Sequence, residues 1–169
     1  MPDNLPAVAS LTPAQHAYCQ QVLSPVRLRL FFLSKLPMAW LAGLRLRALN
    51  GQEATVTIRY KYLTKNPFRS IYFACLAMAA ELASGVQAML HSQGAGRVSM
   101  LVVGLQAEFS KKAVGTIAFH CPDGVAIAAA IAESRATGQG RAVACTSTGR
   151  DEAGDVVAVF QVTWSFKAK

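Results

Sequence analysis

The sequence predicts an α+β domain in which one long helix is clasped by a curved antiparallel sheet. Three observations predict it. Ser70 to Leu90, SIYFACLAMAAELASGVQAML, is apolar on every helical face, and Glu81 is its only acid or base charged at neutral pH. Such a helix must be covered by protein on nearly all sides. The flanking segments alternate apolar with polar residues, the period of half-buried strands. Their order is one strand, the buried helix, then four strands, so the sheet can wrap the helix.

The first helix is signalled by Thr12-Pro13-Ala14-Gln15, a capping box with proline at the first helical position, and runs to Leu23. Ser24-Pro25 repeats the signal and opens a second helical stretch that fades before Asn50-Gly51. Within it, Leu28 to Leu46 is mostly apolar but interrupted by Arg29, Lys35, Pro37 and Arg45, too often for a membrane span. Two short helices broken near Pro37 are expected, with their apolar faces on the protein body. Interfacial membrane contact through Phe31, Phe32 and Trp40 is the lesser reading.

Ala54, Val56, Ile58, Tyr60 and Tyr62 alternate with polar residues and form the first predicted strand. The buried helix follows Asn66-Pro67. Two strands come next: Arg97 to Ser110, where Leu105, Ala107 and Phe109 alternate with Gln106, Glu108 and Ser110, and Val114 to Cys121. Pro122-Asp123-Gly124 caps a short helix over Val125 to Ala136, closed by Gly138 and Gly140. Strands over Arg141 to Thr148 and through Phe160, Val162, Trp164 and Phe166 complete the chain, joined by a turn at Asp151 to Gly154. No linker or repeat divides the sequence, so residues 1–169 are read as one domain, with 12–48 as an N-terminal helical extension.

Composition bounds the function. The chain has 169 residues, 53% hydrophobic and 15% charged, with 17 basic against 9 acidic residues for a net charge of +8. Mean hydropathy is +0.30. These values exclude collagen, coiled coils, polytopic membrane proteins and disulfide-stapled mini-proteins. The apolar excess points to a subunit interface, and the positive charge to an anionic partner. Met1 to Ser10 lacks the pattern of a secretory leader, and the cysteines Cys19, Cys75, Cys121 and Cys145 stand singly. A cytoplasmic protein with reduced thiols is therefore expected. The scattered histidines His16, His91 and His120 give no zinc spacing, and no metal or cofactor is expected.

A loop at Asn66, an aromatic turn at Tyr72 and an acid at Glu81 form a pattern that resembles thioesterase-like hotdog proteins, in which an Asn-containing loop enters the central helix through a His/Phe-Gly-Gly turn with an acid nine positions after the His or Phe. Here Asn66 begins the loop, Tyr72-Phe73-Ala74 occupies the turn, and Glu81 lies nine positions after Tyr72. Ala107 to Gly115, AEFSKKAVG, resembles the strand, basic turn and glycine that follow the helix. From about Pro25 to its end the chain resembles this superfamily, closest to an uncharacterised branch related to phenylacetate-pathway acyl-CoA thioesterases. The resemblance implies a hotdog fold, a homodimer or dimer of dimers, and an acyl thioester substrate carried by coenzyme A or acyl carrier protein. It also implies catalytic roles for Glu81 and Asn66, and substrate contacts from Lys65, Arg69, Ser70, Tyr72, Phe73 and Ala74. Phe73-Ala74 departs from Gly-Gly: the Ala74 N–H can still polarise a carbonyl, while the Phe73 side chain narrows the approach.

Each candidate also has a structural reading. A buried carboxylate needs a partner or a task, so Glu81 is either a water-activating base or an acid paired with Arg69, Lys65 or a second subunit. Asn66 either positions substrate or shapes the turn before Pro67, and Ser70 is placed to cap the central helix. Between Arg27 and Arg69 nine cations face one acid, Glu53. They form either a solvated face or a surface for coenzyme A phosphates or anionic lipid. No nucleic-acid motif accompanies them. The competing function is a non-catalytic hotdog protein that binds a fatty acyl or other apolar ligand.

Overall fold

The structure is a computed structural model that describes residues 10–94 and 96–169. Residues 1–9, on which the expectation about a leader rests, lie outside the described residues. Three helices open the chain: α1 (Pro13–Leu23), α2 (Pro25–Lys35) and α3 (Pro37–Ala42). Strands β1 (Arg45–Leu49) and β2 (Ala54–Arg59) lead through a 3-10 turn (Tyr62–Thr64) into α4 (Phe73–His91). Then come β3 (Val98–Phe109), β4 (Thr116–Cys121), α5 (Gly124–Thr137), β5 (Arg141–Arg150) and β6 (Val156–Ala168). The six strands form one antiparallel sheet in the order β1-β2-β4-β5-β6-β3, curved around α4 in the hotdog arrangement.

Small residues let the sheet approach the central helix closely. Ala79, Ala80, Ala83 and Ala88 have no exposed surface, and Leu76, Val86 and Leu90 pack beside them. Buried hydrogen bonds fix how α4 lies in the sheet. The Gln87 side chain donates to Cys121 O (2.9 Å), the Ser147 hydroxyl to Ala80 O (2.8 Å), and the Trp164 indole to the Ser84 hydroxyl (2.9 Å). By length and composition α4 could cross a membrane, but 67% of its apolar window is buried inside the protein. It is a core helix.

The capping box of α1 forms as expected: Gln15 N–H donates to the Thr12 hydroxyl and Thr12 N–H to the Gln15 side chain. The chain also breaks between α2 and α3 at Pro37. Three expectations need correction. Helix does not continue toward residue 48; Gly43, in the left-handed region at φ 75°, ends α3, and 45–49 becomes edge strand β1 paired to β2. Backbone pairing along the β2 edge outweighs the helical pattern there, so the helical extension covers 13–42.

Secondly, α2 and α3 bury only Leu28, Phe32, Ala39 and Ala42, whereas Val26, Leu30, Leu33 and Met38 point to solvent. Single helices lying on a sheet edge can cover only one stripe. Thirdly, the apolar face of β3 is only partly covered by the described residues: Ala107 packs against the core and the Phe109 ring meets Phe160 edge-on at 5.6 Å. Leu105 and Phe109 are more than half exposed, because β3 is the last strand and α4 does not reach across it.

Candidate functional site

The approach to α4 is a closed loop organised by Asn66. Its Oδ1 accepts from the N–H groups of Phe68 (3.0 Å) and Ser70 (3.1 Å), while its Nδ2 donates to the Ser70 hydroxyl (3.1 Å). A backbone bond from Asn66 N–H to Ser70 O (2.9 Å) and a Lys65–Ile71 bridge close the base. The loop is tight enough to hold Arg69 at φ 59°, a conformation that costs a residue with a side chain about 1–2 kcal/mol. Ser70, expected to cap α4, is instead bound to Asn66. Tyr72 is the N-cap, and its side chain makes no capping bond.

This leaves the start of α4 open. Phe73 and Ala74 occupy its first turn, where N–H groups have no intrahelical acceptor. Among the described residues neither N–H finds another acceptor. Phe73 is 55% exposed, with its ring edge-on to Tyr72 at 4.9 Å. Asn66, Ser70, Tyr72 and Phe73 line an open groove of about 660 Å³, whose opposite wall runs from Phe109 to Ala113. The structure thus gathers four sequence candidates with the downstream strand and basic turn. Lys65 and Arg69 are exposed beside the loop without lining the groove, and Lys65 Nζ rests over the Tyr62 ring at 4.4 Å.

Glu81 lies elsewhere. Two turns along α4, it lines a recess of about 210 Å³ roofed by Lys35 to Ala39, where α2 meets α3, and floored by Met78 and Leu82. Its carboxylate rests against Gly85: a Cβ there would stand 3.3 Å from Oε1 and 3.4 Å from the Trp164 ring. Burial pushes the Glu81 carboxyl above its ordinary value. Among the described residues no cation pairs with it, so neither Arg69 nor Lys65 plays the partner expected of them. The step from Ala74 to Glu81 is seven residues, roughly 10 Å along the helix axis. Within one chain the acid and the open helix start face different spaces.

Sequence reasoning missed the covering of Glu81 by the α2–α3 junction and the bond from the Ser84 hydroxyl to Glu81 O (3.0 Å). The first had no local signal, because Pro37 and Glu81 are far apart in sequence. The second was legible as a serine three positions after the acid.

Several solved structures are similar to this one. A Pseudomonas aeruginosa protein described as a probable thioesterase is 21% identical, with a TM-score of 0.71 over 86% of this chain and 97% of that one. A Chlorobaculum tepidum protein of unknown function is 17% identical, with a TM-score of 0.71 over 95% and 99% of the two chains. The E. coli PaaI protein from the phenylacetic acid degradation operon is 14% identical, with a TM-score of 0.62 over 92% and 96%. At these identities the likeness establishes the shared hotdog fold. No curated protein matches the sequence. The family model described as domain of unknown function DUF4442 matches residues 26–166, almost the whole hotdog body with α2 and α3, and the chain belongs to that family.

Proposed function

We propose that this protein is an acyl thioesterase acting on a substrate carried by coenzyme A or acyl carrier protein, with a site shared between two subunits. One observation carries the reading: the only acid of the buried helix has no cationic partner among the described residues and is held above its ordinary pKa. A desolvated carboxylate of this kind suits proton transfer near neutral pH.

In the proposed step, Glu81 takes a proton from water as its oxygen attacks the thioester carbonyl. The oxyanion forms at the Phe73 and Ala74 N–H groups, favoured by the helix dipole. The carbon–sulfur bond then breaks, and the leaving thiolate receives the proton from Glu81, giving a carboxylic acid and a thiol. A base must lie within hydrogen-bond reach of the attacking water. With roughly 10 Å separating Ala74 from Glu81 along one helix, the two would come from different subunits. The exposed apolar edge of β3, with Leu101, Val103 and Leu105 each more than half exposed, supports pairing of a second copy there. Tyr72 and Phe73 would contact the acyl group, Asn66 and Ser70 would hold the loop in shape, and Lys65 and Arg69 would meet the carrier.

An acyl-CoA panel of graded chain length, read by release of free thiol, tests this. Turnover on at least one chain length and a loss of 100-fold or more in kcat for Glu81→Gln are expected, the usual scale for a general base. Full activity in Glu81→Gln would sink the mechanism. The Phe73 side chain across the helix start favours a second reading, in which the pocket binds a fatty acyl or other apolar ligand without hydrolysing it. A lipid retained in native mass spectrometry, with no turnover on any chain length, would decide for that one.

A further inference from the structure

A separate cavity of about 570 Å³ lies between α2, α3 and the ends of β1 and β2, and shares no lining residue with the Asn66 groove. Its size falls within the usual range for small-molecule sites. Leu28 and Phe32, one helical turn apart on α2, form the floor with Leu44 and Leu46; all four are less than a tenth exposed. Trp40 forms a half-buried wall. The rim is cationic: Arg29 from α2, Arg45 and Arg47 from β1, Arg59 from the end of β2, and Lys61 just beyond it. Strand alternation produces this division, since Leu46 turns inward between the two outward arginines.

Nothing within the described chain neutralises the rim. No carboxylate among the described residues pairs with any of the five cations. Lys61 Nζ is anchored to Leu41 O (2.8 Å) and Arg47 Nε to the Thr57 hydroxyl (3.2 Å). Arg29, Arg45 and Arg59 make no side-chain hydrogen bond to a described residue and remain available. Like charges gathered at the mouth of a low-dielectric cleft repel one another and focus a positive potential on the opening. An oxyanion there relieves the repulsion and can accept paired guanidinium N–H groups. A hydrophilic anion alone would leave the floor wet, and a neutral lipid would leave the cations unmatched.

We propose that this cavity binds a single-chain anionic amphiphile, its carboxylate or phosphate head at Arg29, Arg45 and Arg59 and its alkyl tail on Leu28, Phe32, Leu44 and Leu46. The site is independent of thioester hydrolysis, because neither Glu81 nor Asn66 lines it. Leu44 lines both this cavity and the Glu81 recess, so the two share that wall.

Isothermal titration calorimetry with monomeric dodecanoate and dodecyl phosphate tests the proposal against dodecyltrimethylammonium and inorganic phosphate. At least one anionic amphiphile is expected to bind ten or more times more tightly than either comparator, and the tighter of the two identifies the head. Shortening the tail by two methylenes should weaken binding roughly tenfold. Arg29→Gln/Arg45→Gln/Arg59→Gln should weaken it at least tenfold, while Arg27→Gln/Arg97→Gln/Lys167→Gln, which removes as much charge from exposed positions outside the cavity, should change it less than twofold. The ligand should also alter the fluorescence of the full chain through Trp40, a change absent in Trp40→Phe. Glu81→Gln should bind as the unaltered protein does, whatever its activity. Equal affinity for the cationic amphiphile, equal weakening by the two triple variants, or a fluorescence change that survives in Trp40→Phe would overturn the assignment.

Discussion

At Glu81 the local environment sets the chemistry. Burial raises its pKa, so the folded chain holds the proton more readily than the unfolded chain does. The corresponding stability is fully present below the unfolded value of 4.5 and is lost as pH rises through the raised folded value. Glutamine carries no such titration. Glu81→Gln is therefore expected to melt higher than the unaltered protein at pH 7, with the difference closing below about pH 4.5, as scanning calorimetry across pH would show. A gap that persists at low pH would mean that packing, rather than ionisation, separates them. Three residues on, the Ser84 hydroxyl accepts from the Trp164 indole and donates to Glu81 O. Ser84→Ala leaves that buried indole N–H without an acceptor and should cost about 1–3 kcal/mol in urea unfolding.

The elements differ in how much of their stability is local. Helix α1 has its full capping box and buries only Cys19 and Val22, so it depends on its cap to an unusual degree. Thr12→Ala should lower the stability of α1 by about 1 kcal/mol. Hydrogen exchange over 13–23 should then quicken roughly fivefold while α4 stays unchanged; equal acceleration of both would show that α1 opens only with the whole domain. Helix α4 is the opposite case. It has no side-chain cap and no acid in its first turn, and tertiary burial holds it in place. An uncapped start leaves the Phe73 and Ala74 N–H groups without an acceptor among the described residues, which the proposed step requires.

For the molecule as a whole, the two sheet edges are managed differently. The β1 edge lies beneath the N-terminal helices and their cationic cavity. The β3 edge presents unpaired backbone and the exposed side chains of Leu101, Val103 and Leu105. A second copy of the chain paired there would cover both. Leu101→Lys/Leu105→Lys should therefore convert a dimer to a monomer by light scattering and abolish hydrolysis with it, because the proposed site needs two chains. A monomeric unaltered protein would remove this arrangement.

What could be read in the residues was whatever depends on local order. The capping box at Thr12, the break at Pro37, the alternation of β6 and the all-round apolar character of α4 are properties of consecutive side chains, and each formed where its pattern lay. The alternation read from Ala54 to Tyr62 held only to Arg59, because the Thr64 hydroxyl, bonded to Arg59 O and Lys61 N–H, draws Tyr62 to Thr64 into a 3-10 turn. The spacing from Asn66 through Tyr72 to Glu81 was legible for the same reason. Strand β1 was not, since RLRAL is as compatible with a helix as with a strand until β2 offers it backbone partners. The role of Ser70 turned on Asn66 reaching back across the loop. Above all, the sequence by itself marked Glu81 as the lone carboxylate of a buried helix, but only the tertiary structure decided that no cation among the described residues pairs with it and that it stands apart from the open helix start. Pairing and separation depend on distances between elements that the chain brings together only when it folds, and on desolvation that acts only once they have closed over the acid.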